Sequence, residues 1–132
     1  MSPTILLFAY GSLMHGELHE SYLTASFRVG LARTVAGYRL VELGQFPALI
    51  VGGDLQIEGE LYEISRECLH KIDELKENGR LFVRRTIELA DGRQAEAYLM
   101  DEDKLRGRRR LRCTDWRKRF GSPGAGSLRR PR

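Results

Sequence analysis

Thr4-Ile5-Leu6-Leu7-Phe8-Ala9, running into Tyr10-Gly11-Ser12-Leu13, is the stretch on which the fold turns. The apolar, β-branched and aromatic run reads as a buried strand, and it stops abruptly at a turn of small residues. A strand ending this way exposes main-chain N–H groups. Gly11 lets the backbone approach a ligand closely and Ser12 adds a hydroxyl, so this corner can hold a carboxylate or a developing oxyanion. An ordinary strand-ending turn has the same composition, so the remaining segments must decide between the two.

Working outward, Glu17–Leu23 fits a short helical turn, and residues 30–41 are strand formers bracketed by glycines, with a bend expected at Gly37. Pro47–Val51 gives another strand, and Gly52-Gly53 reads as the hairpin turn leading to the next one, Gln56–Ile64. Ser65 is placed to cap a helix in which Cys68, Leu69, Ile72 and Leu75 form one apolar stripe, and Gly79 lies just past its expected end. Leu81–Leu89 and Gln94–Met100 are strands joined by the turn Ala90-Asp91-Gly92-Arg93. Many short strands, glycine bends and one dominant helix predict an α+β fold: a small, twisted, mixed β-barrel with one main packed helix.

The chain of 132 residues has room for one core, with 42% hydrophobic and 30% charged residues. No apolar run reaches the roughly 20 residues that span a bilayer, and Met1-Ser2-Pro3 lacks the basic start of a secretory signal, so a cytoplasmic protein without membrane contact is expected. Charge is distributed unevenly. From Lys104 onward twelve Lys or Arg face one acid, Asp115, whereas residues 1–103 carry ten against seventeen. Gly121–Ser127 is low in complexity and Leu128–Arg132 has no apolar pattern, so residues 118–132 are expected to form a flexible basic tail after a domain spanning 1–117. No aromatic stacking motif accompanies the charge, which argues against nucleic acid as the partner. Cys68 and Cys113 lack metal-ligand spacing, and His15 and His19 have no third ligand beside them, so no metal is expected.

Taken together, Phe8-Ala9-Tyr10-Gly11-Ser12-Leu13, Glu58-Gly59-Glu60-Leu61-Tyr62, and Ile72-Asp73-Glu74-Leu75 followed by Phe82-Val83-Arg84-Arg85 resemble the gamma-glutamylcyclotransferase-like family in order and interval. Pro47-Ala48-Leu49 and Asp115-Trp116-Arg117 extend the resemblance over roughly residues 5–117. It implies a compact mixed barrel whose cavity takes a small γ-glutamyl-containing molecule, with Tyr10, Gly11, Ser12 and Leu13 contacting the substrate. In such enzymes the substrate's own α-amine attacks its γ-carbonyl. The products are 5-oxoproline and an amine or amino acid, and one glutamate moves the proton without a cofactor.

This chain departs from the family where that glutamate should stand. The position falls on Lys76, and Phe82 and Arg84 replace the family's Tyr-x-Arg pair. A protonated lysine repels the substrate ammonium, so Glu77, one residue on, is the expected catalytic carboxylate and Lys76 is a binding residue. Glu60, on its strand beside Gly59, is a reserve carboxylate, and Glu74 reads as surface charge. By the resemblance Arg84 pairs with a carboxylate, while Tyr62 and Tyr98 belong to the core. Two functions are compatible with these residues: a γ-glutamylcyclotransferase, or a non-catalytic relative that binds a small anionic or γ-glutamyl-like ligand through Lys76.

Overall fold

The computed structural model describes residues 4–120. Seven strands form one mixed sheet: β1 (Ile5–Ala9), β2 (Phe27–Arg33), β3 (Tyr38–Glu42), β4 (Pro47–Val51), β5 (Glu58–Ile64), β6 (Val83–Glu88) and β7 (Gln94–Leu99). The helix α1 (Arg66–Lys76) follows β5, and short 3₁₀ turns occupy Glu20–Tyr22, Glu102–Leu105 and Trp116–Lys118. The strand order is β2-β5-β1-β7-β4-β3, with β6 antiparallel to β7. Among the described residues no helix is long and apolar enough to cross a membrane.

The fold is the mixed α+β sheet with one packed helix that the sequence suggests, but the sheet is open and not a closed barrel. β2 meets the end of β6 through the bridge Thr34↔Leu89, with flanking main-chain bonds from Val35 N to Glu88 O (3.1 Å) and Ala90 N to Arg33 O (2.9 Å). The bend near Gly37 becomes a break between β2 and β3, and Gly37 takes φ 123°, which favours glycine. Gly52-Gly53 does not make a hairpin between β4 and β5. β4 pairs instead with β3 and β7, and β5 with β1 and β2. A side chain at Gly53 would strike the Tyr38 carbonyl, so this glycine serves a close backbone crossing. Local composition reports a tight turn there without identifying the strand it leads to.

β7 organises the site. One of its edges carries β6 throughout. Its other edge is shared: β1 joins in parallel near its start (Leu7↔Glu96) and β4 in parallel near its end (Leu49↔Leu99). β1 and β4 therefore part from one another along β7, and the Tyr10 hydroxyl bridges the fork. It donates to Tyr98 O at 2.5 Å and accepts from Leu49 N at 3.3 Å. A main-chain group left unpaired by the divergence is thereby satisfied.

The core includes Leu7, Phe8, Leu40, Leu49, Ile50, Ile57, Leu61, Ile72 and Trp116. β5 is buried along most of both faces, because it lies inside the sheet and is covered on each side; the simple alternation of an exposed strand does not survive there. In α1 the Ser65 side chain accepts from Cys68 N at 3.0 Å, Leu69 and Ile72 face the core, and Lys76, the last helical residue, is buried with them.

Candidate functional site

Tyr10, Gly11, Ser12 and Leu13 continue from β1 past the fork. With Phe8, Ala9, Pro47, Lys76 and Tyr98 they line a cavity of about 10 Å³, which is room for about one water. A wider groove of about 660 Å³ lies elsewhere, between the Glu20–Tyr22 turn and α1. The groove holds no comparable convergence of buried polar groups. At the small cavity Ser12 and Lys76 are 2% and 8% exposed.

The loop needs its glycine. A Cβ at Gly11 would lie 2.7 Å from Pro47 Cδ and Cγ, so the β1 and β4 segments can approach this closely only without a side chain there. The amide of Met14 closes the turn on Gly11 O (3.1 Å), and that of His19 returns to Ser12 O (2.7 Å). Among the described residues the amides of Gly11, Ser12 and Leu13 donate to no main-chain carbonyl. Three amides of the loop that lines the cavity are thus without a main-chain partner.

Lys76 enters from the opposite wall. Its Nζ donates to Ser12 Oγ at 3.3 Å and sits 4.9 Å from the Phe82 ring centre and 5.7 Å from that of Phe46. The aromatic faces attract a cation. Burial acts against the charge more strongly, lowering the ammonium pKa from 10.5 to about 8. Phe46, half-buried on the β3–β4 turn, flanks the amine.

On its other side Ser12 Oγ lies 2.9 Å from His19 Nδ1. Burial, and secondarily the Lys76 charge, lower the His19 pKa, so its imidazole is neutral at pH 7 and able to accept a proton. His19 is a contact that sequence reading missed. Its spacing from His15 suggested at most a metal pair on the surface, and the β1–β2 connection must fold back before it meets Ser12.

The structure gathers Tyr10, Gly11, Ser12, Leu13 and Lys76 around this one cavity. It does not bring Glu77 there. Glu77 caps α1 in the left-handed conformation (φ 50°, ψ 54°), and its carboxylate pairs with Arg80 on an outer surface shared with His70, Asp73, Glu74, Asn78 and Arg80. The turn in the backbone after Lys76 sends the two adjacent side chains in different directions.

Glu60 is buried (2% exposed) and fully engaged. Oε1 accepts from His15 N and from Tyr62 OH, both at 2.9 Å, and Oε2 from Arg28 at 3.1 Å and Arg117 at 3.5 Å. Burial pushes its carboxyl pKa up, but the bonds from His15, Tyr62 and Arg28 together outweigh burial and hold it below the usual value. Glu60 thus ties the loop's far end to β5 and lines no part of the cavity. Arg84 grips Asp73 with Nε (3.0 Å) and a terminal nitrogen (3.3 Å) and reaches Glu96 at 2.9 Å, while Tyr98 OH donates to Asp73 at 2.6 Å. This network fastens α1, one turn before Lys76, to β6 and β7.

Comparison with known proteins agrees with this architecture. The family described as gamma-glutamyl cyclotransferase, AIG2-like, matches residues 7–118. A Vibrio cholerae (serotype O1) protein provisionally named a gamma-glutamylcyclotransferase is 35% identical over 97 residues, 74% of this chain and 83% of that protein. The gamma-L-glutamyl-butirosin B gamma-glutamyl cyclotransferase of Niallia circulans is 39% identical over 72 residues, 54% of this chain and 45% of that enzyme. Among solved structures, a uropathogenic E. coli-specific protein superimposes with a TM-score of 0.77 at 25% identity, covering 87% of this chain and 94% of its own. The chain belongs to the gamma-glutamyl cyclotransferase, AIG2-like family.

Proposed function

We propose that this protein cleaves a γ-glutamyl amine or γ-glutamyl peptide, releasing 5-oxoproline, and that Lys76 is the group that moves the proton. The observation carrying this reading is the meeting of a buried, desolvated amine and a loop of amides without main-chain partners in the cavity at the β1/β4 fork. The names of the relatives support the substrate class.

The γ-carbonyl oxygen is held at the amides of the Gly11–Leu13 loop. Lys76 in its neutral form accepts a proton from the substrate's α-ammonium, and the freed amine attacks the γ-carbon. The oxyanion collapses with cleavage of the C–N bond as the Lys76 ammonium returns its proton to the departing amine, and the extra proton on the new ring nitrogen then passes through neutral Lys76 to the released amine. Proton transfer of this kind contributes on the order of 10²- to 10⁴-fold. Its requirement for neutral lysine couples the rate to a pKa of about 8. Because the cavity holds only about one water, its lining must part to admit substrate. A base role for Glu77 would require the α1 cap to unwind and the Arg80 pair to break, so Lys76 is preferred.

The charge that Lys76 keeps below pH about 8 favours a second reading, a non-catalytic relative whose ammonium holds a small anionic or γ-glutamyl-like ligand. Measuring 5-oxoproline release from a panel of γ-glutamyl amines and peptides, beside the Lys76→Glu variant, separates the two. Release by the unaltered chain, rising with pH through about 8, is the expected result. Ligand-induced thermal stabilisation with no release by the unaltered chain would establish the binding protein instead.

A further inference from the structure

Ser12 is more than a lining residue. Its hydroxyl, 2% exposed, lies between two nitrogens, His19 Nδ1 at 2.9 Å and Lys76 Nζ at 3.3 Å, beside amides that have no main-chain partner. A hydroxyl has one proton to give and can accept in return. An ammonium has only donors, so the Lys76–Ser12 contact has Ser12 as acceptor, and with His19 in its Nε2–H tautomer the Ser12 proton points at Nδ1. The resulting order, Nζ–H to Oγ and Oγ–H to Nδ1, is that of an activated nucleophile: a base to take the proton, a cation beside the oxygen and amides nearby for the oxyanion.

We infer that Ser12 is a second nucleophile in this cavity, forming an acyl-enzyme with small esters or amides that carry no free α-amine and hydrolysing them. Ser12 Oγ attacks the carbonyl carbon and its proton passes to His19 Nδ1. The C–O⁻ so formed is held by the loop amides and Lys76. Collapse breaks the bond to the alcohol or amine, which leaves with the proton from His19. Water, deprotonated by the same imidazole, then attacks the Ser12 ester, and the proton returns to Oγ as the acid is released. No redox partner or cofactor enters this balance.

This activity uses the cavity of the proposed cyclotransferase but not its chemistry, because no substrate amine takes part. The charged and titratable groups around the reacting oxygen are Lys76 from α1, His19 from the β1–β2 connection, and the phenols of Tyr10 and Tyr98. Both phenol pKa values are raised by burial, so they remain neutral.

The test is p-nitrophenyl acetate with the full chain at pH 7, followed by peptide mapping of the acetylated protein. The expected result is a burst of p-nitrophenol equal to the enzyme concentration and an acetyl group on Ser12 that hydroxylamine removes. The burst should be absent in Ser12→Ala, and its rate should fall at least about tenfold in both His19→Gln and Lys76→Met. No burst, a hydroxylamine-stable acetyl on Lys76, or a burst unchanged in Ser12→Ala would overturn the proposal. Release of 5-oxoproline, assayed separately, reports on the cyclotransferase reading whatever the ester does.

Discussion

Lys76 Nζ donates to Ser12 Oγ across 3.3 Å, joining the last residue of the helix to the turn after the first strand, 64 positions earlier. The lysine is 8% exposed and carries its amine into a wall of aromatic rings. A helix terminus that places a charge there does so at the expense of stability, and the site chemistry depends on that cost.

The cost is measurable. In the folded chain Lys76 has a pKa of about 8, against 10.5 for an ordinary lysine. Between these values the unfolded chain binds more protons, so stability rises with pH across that window; below about 8 the penalty is present in full. Lys76→Met is expected to raise stability at pH 7 by about 3 kcal/mol. Urea unfolding at pH 7 and above pH 10.5 checks this: the difference between variant and parent should be large in the first case and close to nothing in the second.

Gly11→Ala should damage stability and activity together. The added methyl meets the Pro47 ring at 2.7 Å, and Pro47 is anchored at the buried start of β4. A loss of about 1–3 kcal/mol is expected in thermal unfolding. 5-Oxoproline release should fall by more than tenfold, because a displacement of about 1 Å in the loop spoils the alignment of its amides. Full activity in a folded variant would show that the loop geometry does not govern the reaction.

Glu60→Gln tests the buried carboxylate that holds His15, Tyr62, Arg28 and Arg117 together. Leaving two arginines short of their counter-charge is expected to cost about 2–4 kcal/mol at pH 7. The Glu60 pKa is held below its usual 4.5, so its contribution is present above that pH and is lost as pH falls through the folded value. Acid titration of stability should therefore show a shallower acid limb in the variant than in the parent chain.

Arg84→Ala removes the fork that holds Asp73 and Glu96 and leaves two carboxylates facing each other beside Tyr98. A loss of about 2–3 kcal/mol is expected in denaturant unfolding. Arg84→Lys should recover only part of it, since an ammonium cannot grip Asp73 with two parallel bonds. Equal stability in Lys and Ala variants would show that the bidentate geometry contributes nothing.

Much of this protein is legible in its sequence because the signals are local. Ser65 marks the start of α1 through a hydrogen bond three residues away, the Ala90–Arg93 turn declares the β6–β7 hairpin, and Tyr10-Gly11-Ser12-Leu13 announces a strand that ends in amides without main-chain partners. Those motifs, with the Ile72-Asp73 helix and Arg84 at their intervals, were sufficient to indicate the family. Tertiary structure alone decided which strands pair with β4 on either side of Gly52-Gly53, that β1 and β4 share an edge of β7, and that Glu60 is spent on arginines while Glu77 caps a helix facing outward. It also decided the state of Lys76 and the partnership of His19 with Ser12. An amine's pKa depends on how much water is removed around it. Here the removal is done by Phe46 and Phe82, whose approach to Lys76 is set by a β-turn on one side and a helix cap on the other, and no local spacing encodes that meeting.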